Sequence, residues 1–213
     1  MDYTQRAARW LLGATDHPGG EALTAHLLDL LELRPGAVVL DVACGRGKGL
    51  EAVRARGGRA VGVDVEIGQV RGVPGAVVGD AHRLPVRSGS CDAVLLECSL
   101  STFADAPAAL REVVRVLRPG GRLGLTDVVL HRDRVDGRVT AAVDRLTAAR
   151  AAYAVLVEEA GLEVTRVEDR SNDARALLRR LQRRLPLSRT VRACAEAARE
   201  GGLGYELVVA RLS

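Results

Sequence analysis

Apolar and polar positions along the chain switch between two periods. Ala37-Val-Val-Leu-Asp-Val-Ala43 is a short, nearly all-apolar run, the pattern of a parallel strand covered on both faces. Arg59 to Asp64, Gly75 to Val78, Cys91 to Cys98 and Arg122 to Leu130 extend the series to a fifth strand, and Glu163 to Glu168 and Tyr205 to Leu212 give a sixth and a seventh. Between them the period becomes helical. Glu21 to Leu33 places Leu23, Leu27, Leu30 and Leu31 on one face, and Gly47 to Arg56 and Ala106 to Leu117 follow. Arg138 to Ala160 reads as one long helix ended by Gly161. Asp2 to Gly13 reads as a short first helix. Strands alternating with helices predict an α/β fold, a doubly wound and mostly parallel seven-stranded sheet. The expectation is a single domain over 1–213, with a helical cap region at 1–36 and a helical excursion at 172–200 between strands six and seven.

Composition changes this picture little. The chain has 213 residues, enough for one α/β domain of ordinary size. Aromatic residues are 2% of it, so the core must be built from Ala, Val and Leu, and a base-stacking platform for nucleic acid is lacking. The net charge of +4 rests on arginine, with Lys48 the only lysine. Cys44, Cys91, Cys98 and Cys194 show no spacing of a zinc site, and no metal is expected. No uninterrupted apolar run marks a secretion signal or a membrane span, so a cytoplasmic location is expected.

The candidate chemistry begins at Asp41-Val-Ala-Cys-Gly45-Arg-Gly47-Lys-Gly49, where a strand ends and a helix begins. Glycines there let the backbone approach a ligand, and the helix N-terminus favours an anionic group such as the methionine carboxylate of S-adenosylmethionine. Asp41 would face the ligand's ammonium. Asp64 closes the second strand 23 positions later, where a carboxylate can accept from both ribose hydroxyls. Asp80 follows the third strand and can accept from the adenine amino group. Three acids on one sheet edge specify more than glycines alone. A dinucleotide would want Gly-x-Gly-x-x-Gly, whereas here the spacing is Gly45-x-Gly47-x-Gly49.

With these motifs the sequence resembles the class I S-adenosylmethionine-dependent methyltransferases, and within them the small-molecule enzymes of the ubiquinone-biosynthesis and arsenite type. Val39-Leu-Asp-Val-Ala-Cys-Gly-Arg-Gly47, Gly62-Val-Asp64, Gly79-Asp-Ala-His-Arg-Leu-Pro85 and Leu117-Arg-Pro-Gly-Gly-Arg-Leu123 carry the resemblance. It implies the Rossmann-like methyltransferase fold, S-adenosyl-L-methionine as cofactor, and cofactor contacts from Asp41, Ala43, Cys44, Gly45, Gly47, Asp64, Val65, Asp80, Ala81 and Glu97. Ala43 stands where such relatives carry a first glycine. Only 15 residues separate Asp64 from Asp80, so the helix after strand two is expected to be shortened.

On the acceptor side the resemblance suggests two catalytic candidates. Cys98 falls where arsenite enzymes carry an arsenic-binding cysteine, although their further cysteine after strand five has no match between Leu100 and Ala193, leaving only Cys194 of the helical excursion to compensate; a buried strand-end thiol is the plainer reading. His17, in His17-Pro18-Gly19-Gly20, is a base or carboxylate contact if its turn folds over the methionine end, and otherwise a turn histidine. His131 follows strand five with Asp127 four residues earlier, and both read as loop-edge residues. The arginines of the 172–200 segment read as a solvated face, with recruitment of an anionic acceptor as the sharper alternative. The function expected is methyl transfer to a small molecule, without nucleic acid or membrane, with a homodimer as the assembly to test. The alternatives are a cofactor-binding protein without turnover and an RNA or protein methyltransferase.

Overall fold

The computed structural model describes residues 17–144, 152–184 and 189–213. Seven strands, β1 (Val38–Val42), β2 (Arg59–Asp64), β3 (Ala76–Val78), β4 (Cys91–Glu97), β5 (Leu117–Leu130), β6 (Glu163–Asp169) and β7 (Leu203–Arg211), form one sheet in the order β3-β2-β1-β4-β5-β7-β6. β1 to β5 pair parallel, and β7 runs antiparallel between β5 and β6. Strand order reverses between β1 and β4, which is where ligands bind in sheets of this kind.

The alternation of side chains divides the core into two layers. On one face Leu40, Val42, Val94, Leu96, Leu123 and Leu125 pack against α4 (Ala106–Val116) and α6 (Ala154–Glu159). On the other, Val39, Ala93, Leu95, Leu207 and Val209 meet α1 (Gly20–Leu30), α2 (Lys48–Ala55) and α8 (Arg189–Arg199), joined by α5 (Gly137–Asp144) and α7 (Ser171–Arg184). Close approach on this face depends on Gly124, where a Cβ would press on Leu27 of α1. After β2 comes only α3 (Ile67–Val70), a single turn, and Val61 and Val77 of β2 and β3 stay exposed.

Three expectations need correction. The long helix expected over 138–160 is not continuous: among the described residues α5 covers Gly137–Asp144, Ala152 and Tyr153 lie outside any helix, and α6 starts at Ala154. Tyr153 is wholly buried, its hydroxyl donating to the Val128 carbonyl (3.0 Å) and its N–H to Glu206 (3.0 Å), and this anchoring takes it out of a helical run. Strand five, expected from Arg122, starts earlier: β5 begins at Leu117 and takes in Arg118-Pro119-Gly120-Gly121 with a register shift and a left-handed Gly120. Asp127 is not at a loop edge: it lies within β5 and is fully buried. The expected helix over 2–13 lies outside the described residues. Among those described, no helix is long and apolar enough to cross a membrane.

Candidate active site

Strand register places the acids. Asp41 pairs with Gly62 on one side and Leu95 on the other. Asp64 and Glu97 lie two residues beyond those partners, so all three point to the same face, the one covered by α1 and α2. Asp41 and Asp64 are each 5% exposed. The Asp41 carboxyl lies against the first turn of α2, where a Cβ on Gly49 would collide with Asp41 Oδ2 and come within 3.8 Å of Glu97 Oε2. Burial, then the neighbouring Glu97 and Asp64, holds Asp41 well above the usual carboxylate range. Burial also raises Glu97, against the opposing influence of His17 and Thr24.

The glycine loop is tied to the second strand. Asp64 Oδ2 accepts from the Gly45 N–H (3.0 Å) and Oδ1 from the Glu66 N–H (2.9 Å). Gly45 and Gly47 are left-handed, and nothing lies within 4 Å of the place a Gly45 Cβ would take, so that side of the loop is open to a ligand. Ala43 is also left-handed, at φ 60°. Its departure from glycine is therefore a matter of backbone strain rather than bulk. Ala43→Gly is expected to raise stability by about 1 kcal/mol, read as a higher urea midpoint; an unchanged midpoint would show that the loop is relaxed. Cys44 turns away. Its N–H donates to the Val63 carbonyl (3.1 Å), and its thiol, pushed up to about 12 by burial, sits in a small apolar cluster with Leu50 and Val70.

Asp80 lies at the far end of the row. Its Oδ1 accepts from the His82 N–H (2.9 Å) and ring Nδ1 (2.6 Å), which hold its carboxyl below the usual range, and the side chain is 61% exposed. Val65 is 56% exposed beside Asp64, and Ala81 is half-buried.

At the opposite end the structure brings together residues far apart in sequence. His17 Nε2 lies 3.0 Å from Thr24 Oγ1, and the Thr24 hydroxyl donates to Glu97 Oε1 (2.9 Å). His17 and Glu97 come within 3.6 Å. Thr24 was missed by the sequence reading, because a threonine on an amphipathic helix carries no signal for a partner 73 positions away.

Cys98 leaves β4 in a left-handed conformation (φ 52°), its thiol close to Tyr205. Burial, then Asp127, push that thiol strongly upward against the opposing influence of Tyr205, so it remains a thiol rather than a soft thiolate. Tyr205 in turn donates to Thr126 Oγ1 (3.0 Å). Behind this loop Asp127 accepts from the Ser101 N–H (2.8 Å) and hydroxyl (2.7 Å) and from the Val128 N–H (2.7 Å). Of the basic run, Arg175 donates to the Ala198 carbonyl (3.2 Å) and ties α7 to α8, while Arg179 and Arg180 are exposed.

Residues 40–125 match the family described as "Methyltransferase domain". That segment is similar to a methyltransferase domain and includes Asp41, Asp64, Asp80 and Glu97. It is 34% identical over 177 residues to Methyltransferase GfsG of Streptomyces halstedii, covering 73% of this chain and 63% of that one. To Nocamycin O-methyltransferase of Saccharothrix syringae it is 37% identical over 136 residues, covering 56% and 49%. The chain thus spans less than two thirds of these curated relatives. Among solved structures, geranyl diphosphate C-methyltransferase from Streptomyces coelicolor A3(2), with Mg2+, geranyl diphosphate and S-adenosyl-L-homocysteine, superposes with a TM-score of 0.79 at 20% identity, over 90% of this chain and 79% of that one.

Proposed function

We propose that this protein transfers a methyl group from S-adenosylmethionine to a small-molecule acceptor. The observation that carries the reading is the convergence of Asp41, Asp64 and Glu97 on one face of adjacent strands, on both sides of the point where strand order reverses. A ligand with a cationic end and a ribose diol answers that row. Asp41 and Glu97 would hold the ammonium end, Asp64 the ribose hydroxyls, and Asp80, with Ala81 and Val65, the adenine. Gly45 leaves room for the close approach of the loop, while Gly47 makes room for Val73.

When bound, the cofactor supplies a methyl on a sulfonium, open to in-line displacement by an acceptor. The chain's own residues position the partners and exclude water, which can account for much of the rate. His17 has both ring nitrogens engaged, Nδ1 with the Pro18 carbonyl (3.0 Å) and Nε2 with Thr24, so it is placed to orient Glu97 rather than to take a proton directly from the acceptor. Cys98, held protonated by burial and the nearby Asp127, is a wall of the acceptor pocket in this reading and not a metalloid ligand. The acceptor is a small organic molecule rather than nucleic acid, given aromatics at 2%. Four free cysteines suit a reducing cytoplasm.

Titration calorimetry with S-adenosylmethionine tests the cofactor, and mass spectrometry of an acceptor panel tests turnover. Gly49→Ala is expected to weaken cofactor binding at least about 10-fold, because the new methyl must displace the Asp41 carboxyl. Wild-type affinity in that variant would remove Asp41 from the site. Binding without a methylated product from any acceptor would favour a protein that holds the cofactor without turnover.

A further inference from the structure

The His17–Thr24–Glu97 chain can be read by counting hydrogens. Two gaps, His17 Nε2 to Thr24 Oγ1 (3.0 Å) and Thr24 Oγ1 to Glu97 Oε1 (2.9 Å), each need one hydrogen. The Thr24 hydroxyl has one. His17 Nδ1 faces the Pro18 carbonyl (3.0 Å), which can only accept, so Nδ1 keeps its own. The remaining hydrogen is therefore an additional proton. With it on Nε2 the ends are imidazolium and carboxylate; with it on Oε1 they are imidazole and carboxylic acid.

The two arrangements interconvert without movement of a heavy atom. The Nε2 proton passes to Thr24 Oγ1 while the Thr24 hydroxyl proton passes to Glu97 Oε1, so two bonds break and two form. Net charge is unchanged, but one positive charge moves from the rim, where the His17 side chain is 20% exposed, to the floor, where that of Glu97 is 9% exposed. The groups facing Glu97 are Asp41 from β1, the adjacent Cys98, Tyr205 from β7, and His17 and Thr24 at the start of α1. Of these only His17 can carry positive charge.

We propose that His17, Thr24 and Glu97 form a proton relay that matches the charge of the site to the charge of the cofactor. Glu97 passes its proton to His17 when the cationic sulfonium cofactor arrives, and takes it back when the neutral thioether product remains. The relay thus favours the charged cofactor over its spent form. This rests on the S-adenosylmethionine reading above. Thr24 is a positioning residue in this scheme, since it acts only through its neighbours.

The test combines calorimetry with nitrogen NMR of protein labelled at histidine, in the presence of S-adenosylmethionine or S-adenosylhomocysteine. The expected result is imidazolium at His17 with the former and neutral imidazole with the latter. Thr24→Val, which keeps the shape but removes the hydroxyl, is expected to lower the affinity ratio of the two ligands about 10-fold, and Thr24→Ser to restore it. An identical His17 state with both bound ligands, or a wild-type ratio in Thr24→Val, would overturn the relay alone. Absence of S-adenosylmethionine binding by the wild-type protein would overturn both the relay and the reading beneath it.

Discussion

Replacing Asp64 by alanine is expected to weaken S-adenosylmethionine binding by about 100-fold or more. The carboxylate has two tasks. It is the proposed acceptor for the ribose hydroxyls, and it already fixes the glycine loop through Gly45 and the following turn through Glu66. Both are lost together in Asp64→Ala. Asp64→Asn keeps one accepting oxygen and is expected to fall between, near about 10-fold. Calorimetry reads the affinities, and a thermal melt followed by circular dichroism separates lost binding from lost fold. Equal binding by Asp64→Ala and the wild type would place the cofactor elsewhere.

Asp127→Ala carries the largest expected cost to stability, about 3–5 kcal/mol in urea unfolding. The carboxyl is fully buried and gathers Ser101, Val128 and Leu100, so its removal leaves buried donors without an acceptor. It also makes a signed contribution to pH dependence. Burial outweighs those hydrogen bonds and lifts Asp127 to about 6, so the native state keeps its proton at pH values where an unfolded chain has released it. Between the ordinary aspartate value and about 6 the native state binds more protons, and this group's contribution to stability falls as pH rises. Asp127→Asn removes that slope. The stability gap between wild type and Asp127→Asn is therefore expected to narrow by about 2 kcal/mol from pH 4 to pH 7. A gap independent of pH would show that Asp127 ionises normally.

The row of acids was legible because local rules determine it. Asp41, Asp64 and Asp80 each follow an apolar run, and a parallel sheet with right-handed crossovers brings such ends to one edge. Glu97 could be placed the same way. Thr24 could not, since its role comes from α1 lying across β4 and nothing in its own neighbourhood predicts that crossing. Asp127 was misread for a related reason: its strand continues to Leu130, and whether its carboxyl meets solvent or Ser101 depends on the fold of a loop 26 positions earlier. The helix over 138–160 looked continuous because its alanines and arginines contain no breaker. Tyr153 interrupts it through tertiary bonds to Val128 and Glu206, which override local propensity.

The short crossover after β2 also bears on how the sheet ends. A sheet edge offers unpaired backbone groups to any passing strand, and apolar residues make that offer more dangerous. β3 has exposed Val77 and Val78, yet it is three residues long and is flanked by a left-handed Gly75 and by Gly79. That is too short a template for stable addition of another strand. At the opposite edge β6 has seven residues and relies on charge instead, with Glu163, Arg166, Glu168 and Asp169 along its length. One border is guarded by brevity and the other by charges of both signs that an added strand would have to desolvate. Lengthening β3 would extend its exposed valine edge, so the trimmed segment limits strand addition beside the proposed cofactor site.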